Sequence, residues 1–292
     1  YLGVTMEGEP VYSVAYAAKQ AGYPVGVSTT VGINHATPGA FYAHQPGRSR
    51  FYEIGQDMLT ADYDFYAGGD LIMSKSEQRD ELYNKAKEQG YTIARGYDDY
   101  KANGKDAKKL MLYQKNVATD LPYAIDREEG DLTLAQITEA GIEFLSKKSK
   151  KGFFFMIEGG KIDYASHADD GATALNEVID FDNAIKVAYE FYKKHPKETL
   201  IVVTADHETG GLSLGAGPKI NWQLFEEAWA EGGQQNNLGW KENTDLNRKG
   251  SIGWTTGSHT GAPVPVFAIG KGAEKFSGRM DNTDIKGKIL GE

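Results

Sequence analysis

Apolar runs alternate with amphipathic stretches along most of the chain. Two of these runs, Gly152–Ile157 and Thr199–Thr204, show no regular polar alternation, as expected of strands that are covered on both faces. Shorter apolar stretches predict further strands at Val25–Val31, Asp64–Gly69 and Pro263–Ile269. Helical patterns fall between them, so the sequence predicts an α/β fold with a largely parallel central sheet flanked by helices.

Amphipathic spacing places helices between the predicted strands. Pro10–Ala21 is the first, with Val11 among the residues on its apolar face. A capping box at Thr133-Leu-Ala-Gln136 starts another helix. A long helix begins at a cap, Asp169 or Asp170, and continues to about residue 194. Its predicted inward residues are Leu175, Ile179, Ile185, Tyr189 and Tyr192.

The segment 211–255 interrupts this alternation. It is polar, rich in Gly and Asn, and holds all four tryptophans of the chain. We interpret it as an insertion with one short helix, 221–230, inside a single α/β domain that spans residues 1–292. Insertions at strand ends often shape an active site. Local packing of aromatic rings under a long loop is an equally good interpretation.

Composition narrows the partners and the kinds of metal site. The chain has 292 residues, with 32 Lys and Arg against 41 Asp and Glu, and a net charge of −9. That balance argues against nucleic acid or an anionic membrane as partner. Because there is no cysteine, disulfides and thiolate metal sites are excluded. No apolar run reaches the roughly 18 residues of a membrane span.

Ligand-type side chains follow the two longest apolar runs. Asp206 and His207 come just after one of them, and ligands of open α/β sheets bind beyond the carboxyl ends of strands. Glu158 closes the other run, where an unpaired acid is costly. Asp163 and His167 follow at a spacing that places both on one helix face. Taken singly, such pairs are more often caps or surface residues than metal ligands.

A fourth candidate comes from a loop of small residues. His259 lies within 256–261, outside any helical or core pattern, and this favours a ligand role. Histidine and carboxylate ligands without thiolate suit Zn²⁺. A Thr hydroxyl with a Glu carboxylate is a harder set that suits Mg²⁺. The glycines Gly210 and Gly211 leave room for something to approach the backbone just after His207.

Four motifs, in this order, together resemble the alkaline phosphatase family of bacterial type. They are Asn34-His-Ala-Thr37-Pro, Glu158-Gly-Gly-Lys-Ile-Asp163 with His167, Thr204-Ala-Asp-His207, and Thr256-Gly-Ser-His259-Thr-Gly. The resemblance extends over nearly the whole chain. It implies the α/β fold of that family and the hydrolysis of phosphate monoesters.

The resemblance also implies two zinc ions and one magnesium ion as cofactors, with seven of this chain's residues as ligands. They are Asp163, His167 and His259 for the first zinc, Asp206 and His207 for the second, and Thr37 and Glu158 for magnesium.

Two further positions take their roles from the same resemblance. Arg48, eleven residues after Thr37, matches the family's phosphate-clamping arginine, with Arg50 as a nearby competitor. A guanidinium fork matches two phosphate oxygens. His35 falls where family members vary. A histidine there is expected to bias the third site toward zinc or to reach its ion through a water molecule.

The implied mechanism passes through phosphoserine. Two metals stabilise the attacking and leaving oxygens of an in-line displacement, as in phosphatases generally, while a serine takes the phosphoryl group. By resemblance, that serine, an aspartate that bridges two metals, and the first strand of the sheet lie before Tyr1. The chain is also expected to stop within its last helix, near Glu292. Residues 1–292 alone are therefore expected to be inactive.

Two other functions stay open on the sequence. One is a related two-metal hydrolase of sulfate esters or phosphodiesters, and the other is a non-catalytic metal-binding scaffold. Thr37 and Glu158 favour the three-metal phosphatase, and Arg48 favours a monoester substrate. The resemblance further implies a homodimer and a periplasmic or secreted location.

Overall fold

The computed structural model describes residues 1–215, 220–221, 223–225, 227 and 240–291, and the side chains of 240–243 are not part of that description. Two compact units divide the chain. The first comprises 1–121, 128–159 and 183–188, and the second comprises 122–127, 160–182 and 189–292. The single domain expected over residues 1–292 stays a prediction.

A five-stranded parallel sheet forms the centre of the first unit. Its strands are β1 (Val25–Gly32), β2 (Phe65–Gly69), β3 (Tyr91–Arg95), β4 (Lys109–Tyr113) and β5 (Phe154–Glu158). They lie in the order β3-β4-β2-β1-β5, and every neighbouring pair is parallel. The predicted parallel central sheet is confirmed, and the carboxyl ends of all five strands lie along one edge.

Helices connect these strands and cover both faces of the sheet. They are α1 (Val14–Gln20), α2 (Ala36–Ala40), α3 (Phe51–Ala61), α4 (Ser76–Glu88), α5 (Gly96–Asp99) and α6 (Leu134–Lys148). Ile54 of α3 belongs to one buried cluster and Phe144 of α6 to another. Neighbouring residues of β2 join different clusters, Tyr66 the first and Phe65 the second, because successive side chains of a strand point to opposite faces.

The start of α6 and its packing follow directly from its sequence. The predicted capping box is confirmed, since the Gln136 N–H donates to the Thr133 hydroxyl and the Thr133 N–H donates to Oε1 of Gln136, both at 3.1 Å. Farther along, a Cβ added to Gly141 would lie 2.4 Å from the ring of Phe155 on β5. Only glycine lets this helix approach the strand so closely.

Short strands and four α-helices belong to the described part of the second unit, except that residues 183–188 of the longest of these helices belong to the first. The helices are α7 (Lys161–His167), α8 (Gly171–Lys194), α9 (Trp240–Lys249) and α10 (Asp284–Leu290). The strands are β6 (Leu200–Val203), β7 (Glu208–Thr209), β8 (Ser213–Leu214), β9 (Ile252–Gly253), β10 (His259–Thr260) and β11 (Phe267–Gly270). β6 pairs with β11, β7 with β10 and β8 with β9, each antiparallel. Over the described residues, no helix combines the length and apolarity that crossing a membrane requires.

Two element boundaries differ from the prediction. α1 begins at Val14 because the Ser13 side chain accepts a hydrogen bond from the Tyr16 N–H and caps the helix there. Val11 therefore precedes the helix and is 49% exposed. The late strand begins at Phe267 instead of residue 263. Prolines at 263 and 265 lack the N–H that a strand ladder needs, which explains the shorter strand.

The long helix α8 is capped as predicted, but two of its five predicted inward residues are exposed. The Asp170 carboxylate accepts from the Thr173 N–H at 3.0 Å, so Asp170 is the cap. Ile179 and Tyr189, predicted to face inward, are 53% and 40% exposed. Two acidic residues are buried instead. Glu177 accepts from the Ala124 N–H at 2.6 Å, and both oxygens of Asp180 accept from Arg127, at 2.5 and 2.6 Å.

The predicted insertion is described only in part. Five of the ten residues of its expected helix, 221–230, lie outside the described residues, Trp222 and Trp229 among them, and residues 223–225 and 227 are helical. Trp254 is described, and its ring lies where a Cβ on Gly210 would come within 2.4 Å. This residue therefore packs against the turn that follows β7.

A test of the sheet uses Gly68, where β2 approaches β1. Its φ is +136°, and an added Cβ would lie 2.1 Å from the Thr29 carbonyl oxygen. We expect Gly68→Ala to lower the free energy of unfolding by roughly 2–4 kcal/mol, from backbone strain and overpacking. Gly47→Ala is the control, because its Cβ would meet nothing within 4 Å and should change stability by about 0.5 kcal/mol or less. Urea unfolding measures both, and equal midpoints would contradict the expectation.

Candidate metal centre

Three donor atoms converge in the second unit. Nε2 of His167 lies 3.5 Å and Nε2 of His259 lies 3.8 Å from Oδ1 of Asp163, and the two nitrogens are 3.2 Å apart. Asp163 and His167 share one face of α7, and His259 begins β10. The three residues that the family resemblance assigns to a first zinc are thus brought together.

The spacing of these atoms fits a zinc ion. Tetrahedral zinc, with bonds of about 2.0–2.1 Å, separates neighbouring ligand atoms by roughly 3.3–3.4 Å. The three observed separations, 3.2, 3.5 and 3.8 Å, lie around that value. Two imidazoles and a carboxylate are also a donor set that zinc prefers.

A backbone carbonyl sets the orientation of His167. Its Nδ1 lies 2.8 Å from the carbonyl oxygen of Gly257. A carbonyl can only accept, so Nδ1 carries the proton and Nε2 keeps the lone pair that faces the cluster. Gly257 and His259 belong to the same small-residue loop, which therefore supplies both a ligand and the group that orients another. Sequence analysis missed Gly257, because a carbonyl oxygen gives no side-chain signal.

The β7–β10 pair decides which side chains face the cluster. His259 lies opposite Thr209, and Thr260 lies opposite Glu208. Directly opposite residues of antiparallel strands share a face. His207 precedes Thr209 by two residues, and its ring stacks on that of His259 with centroids 3.7 Å apart. The metal-facing side of this pair therefore carries His207, Thr209 and His259.

The second predicted pair lies beside the first set. Oδ2 of Asp206 is 3.4 Å from Nε2 of His207, close to the separation of neighbouring ligands on one ion. Through the stacking of His207 on His259, these two donors adjoin the first group. The structure thus places all five predicted zinc ligands in one region of the second unit.

The opposite face of the same strand pair holds the strands together. The carboxylate of Glu208 accepts from the Gly211 N–H at 2.7 Å and from the Thr260 hydroxyl. Burial acts to raise the pKa of Glu208, but hydrogen bonds from Thr260, Gly211 and Leu212 outweigh it and lower the pKa. An ionised Glu208 therefore ties β7 to β10.

The two glycines after β7 accommodate protein atoms. Gly210 and Gly211 have φ of +85° and +61°. A Cβ on Gly210 would lie 2.4 Å from the ring of Trp254, and one on Gly211 would lie 2.7 Å from Thr255. The groups that approach the backbone after His207 are therefore side chains of the predicted insertion.

The magnesium candidates belong to the first unit. Glu158 ends β5, and Thr37 lies half-buried in α2. Thr29, aligned with Glu158 across β1 and β5, donates its hydroxyl to Oε2 of Glu158 at 2.5 Å. Sequence analysis gave Thr29 no role, although a polar Ser-Thr-Thr run inside a buried strand is a signal that could have drawn attention to it.

Arg48 and His35 contact each other. Nη2 of Arg48 donates to Nε2 of His35 at 3.1 Å, and Arg48 is exposed. His35 precedes α2 as its cap residue, and Arg50 does the same for α3. The expected role of His35 at a third metal site stays a prediction, and what the structure shows is its contact with Arg48.

A family model described as alkaline phosphatase matches residues 1–290. The chain belongs to the alkaline phosphatase family. Alkaline phosphatase 4 of Bacillus subtilis (strain 168) is 33% identical over 330 residues, which cover 97% of this chain and 70% of that protein. The resemblance to alkaline phosphatases of bacterial type is confirmed.

Solved alkaline phosphatases share the fold. The crystal structure of the cold-active enzyme from the psychrophile Shewanella sp. matches with a TM-score of 0.84 at 30% identity, covering 99% of this chain and 80% of that one. A histidine-to-glutamate variant of TAB5 alkaline phosphatase, with Mg bound in its M3 site, matches with a TM-score of 0.78 at 32% identity. That match covers 99% of this chain and 78% of the other.

Family membership establishes the enzyme class. Alkaline phosphatases are phosphomonoesterases, so this chain is of the phosphomonoesterase type. The family also implies metal cofactors, which agrees with the cluster of Asp163, His167 and His259, whose ligand atoms all lie within 4.8 Å of one another.

Removing one donor tests the metal centre. We expect His167→Ala to weaken zinc binding by more than about 100-fold, because a ligand is lost along with the orientation it receives from Gly257. His195→Ala is the matched control, since His195 is an exposed histidine at the end of α8. Competition with a chromophoric chelator measures both affinities. Equal zinc affinity in the two variants would remove His167 from the site.

Proposed function

We propose that the protein hydrolyses phosphate monoesters with two zinc ions and one magnesium ion, through a phosphoserine intermediate. The observation that carries this proposal is the convergence of three donor atoms at separations of 3.2–3.8 Å. Family membership supplies the reaction class. The proposed ligands are Asp163, His167 and His259 for the first zinc, Asp206 and His207 for the second, and Thr37 and Glu158 for magnesium.

The ions, when bound, stabilise negative charge on the attacking and leaving oxygens of an in-line phosphoryl transfer. This chain's own residues orient the ligands that hold them. The Gly257 carbonyl holds the His167 ring, and the Thr209 hydroxyl holds the Asp163 carboxylate at 2.6 Å. The Thr29 hydroxyl donates to Oε2 of Glu158 and so fixes the rotation of that carboxylate.

Arg48 is proposed to bind the phosphoryl oxygens. Its bond to His35 uses one of five N–H donors, and the exposed guanidinium keeps others for a ligand. Two parallel bonds to phosphate oxygens suit this planar fork. His35 would fix the direction of the fork, which is the pre-organisation that phosphoryl transfer requires.

The arginine assignment can be tested by phosphate binding. We expect Arg48→Ala to weaken binding of inorganic phosphate to the zinc- and magnesium-loaded protein by tenfold or more, because charge-assisted bonds contribute about 1.5–3 kcal/mol. Zinc content should stay the same, since the guanidinium is no metal ligand. Titration calorimetry measures the affinity, with Arg50→Ala as the matched control. A loss confined to Arg50→Ala would transfer the role to that residue.

The nucleophile is proposed to be a serine outside residues 1–292, as the resemblance implies. We therefore expect residues 1–292, purified free of host phosphatase and titrated with zinc, to show little turnover of a chromogenic monoester. Robust turnover that disappears in Asp206→Ala would contradict this proposal, because the chain would then have its own nucleophile or use water directly. Assays of a phosphodiester and a sulfate ester with the full-length protein separate the proposed reaction from related two-metal hydrolyses.

A further inference from the structure

Thr209 lies between the two proposed groups of zinc ligands. Its Oγ1 donates to Oδ1 of Asp163 at 2.6 Å and lies 3.2 Å from Nδ1 of His207. Thr209 is partly buried and belongs to neither proposed ligand set. A single hydroxyl therefore joins a carboxylate of the first set to an imidazole of the second.

The chemistry of these groups determines which atom donates and which accepts in each hydrogen bond. A carboxylate oxygen only accepts, so the hydroxyl hydrogen of Thr209 points to Asp163. His207 Nδ1 must then donate to the hydroxyl oxygen, and the lone pair of the ring is on Nε2. The carbonyl oxygen of Glu208, 3.3 Å from Nδ1, favours the same tautomer. Nε2 is also the atom that lies 3.4 Å from Asp206.

The acceptor oxygen is the one that faces the first group. Oδ1 of Asp163 is the atom 3.5 Å from His167 and 3.8 Å from His259. An oxygen with two lone pairs can bind an ion with one and accept from Thr209 with the other. The threonine thus fixes the rotation of the carboxylate at the atom that would bind zinc.

We infer that Thr209 is a positioning residue that couples the two zinc sites. A positive charge at Nε2 of His207 makes its Nδ1–H a stronger donor, and hydrogen bonds in a chain strengthen one another. Occupancy near Asp206 and His207 therefore tightens the hold of Thr209 on Asp163. This inference rests on the proposed two-zinc function.

Three variants separate coupling from general packing. Thr209→Val removes the hydroxyl and keeps the shape, whereas Thr209→Ser keeps the hydroxyl. Thr260→Val is the matched control, because it removes a hydroxyl that donates to the Glu208 carboxylate on the other face of the same strand pair. Thr209→Ala provides a second deletion should valine disturb folding, which circular dichroism would show.

The experiment measures the zinc affinity of each variant by chelator competition. The variants are made in the full-length protein, and the wild-type full-length protein is the reference. We expect Thr209→Val to weaken the tightest zinc site about 10- to 100-fold, the usual effect of losing a group that orients a ligand. The zinc affinity of Thr209→Ser should stay within about threefold of wild type, and Thr260→Val should weaken zinc binding much less than Thr209→Val does. The loss caused by Thr209→Val should shrink when Asp206→Ala has already disabled the second site.

The outcomes distinguish the inference from the function on which it rests. Wild-type protein that binds no zinc would overturn both. Wild-type protein that binds two zinc ions, with Thr209→Val equal to wild type or to Thr260→Val, would overturn the inference alone. An equal loss with and without Asp206→Ala would leave Thr209 as a local support of Asp163 and would refute the coupling.

Discussion

The pairing of β7 with β10 is the constraint on which the candidate metal centre depends. Two residues of each strand pair, and this brief register places His207, Thr209 and His259 on one face. Because side chains alternate along a strand, a slip by one residue would turn Glu208 toward the cluster and Thr209 away from it. The bond between Glu208 and Thr260 on the other face opposes that slip. The proposed ligands and the side-chain bond that joins the strands thus lie on opposite faces of the same strand pair.

In the first unit, strand pairing also fixes a side chain of the proposed site, here the carboxylate of Glu158. Glu158 ends a half-buried apolar strand, where a carboxylate without partners would be costly. The parallel register of β1 and β5 places Thr29 beside it, and Gly68 lets β2 approach the Thr29 backbone. A hydroxyl donor thus adjoins a carboxylate oxygen in each unit, Thr29 at Glu158 and Thr209 at Asp163. The register of β1 and β5 brings Thr29 to Glu158, whereas the packing of α7 against β7 brings Thr209 to Asp163.

Features that are local in the sequence predicted much of the fold, whereas features that depend on long-range contacts could not be predicted. The parallel strands and the capping box at Thr133 follow from features within a few residues of one another. The zinc candidates span residues 163 to 259, and the family resemblance, not local pattern, grouped them. The buried face of α8 could not be predicted in this way. It depends on hydrogen bonds that Glu177 and Asp180 accept from groups more than 50 residues earlier in the chain. Alternation along β7 could have pointed to Thr209, because it shares a face with His207. Nothing in a sequence pattern marks the carbonyl of Gly257.

The buried acids Glu177 and Asp180 on α8 also affect the order in which parts of the protein fold during synthesis. The segment 122–127 belongs to the second unit, although the chain just before and just after it belongs to the first. Its anchors to Glu177 and Asp180 each span 53 positions. During translation this segment leaves the ribosome well before its acceptors have been synthesised, so the Arg127 guanidinium and the Ala124 N–H stay solvated meanwhile. The second unit can therefore form these contacts only after α8 has emerged from the ribosome. Until then, while β5 is being synthesised, residues 122–127 remain without these partners.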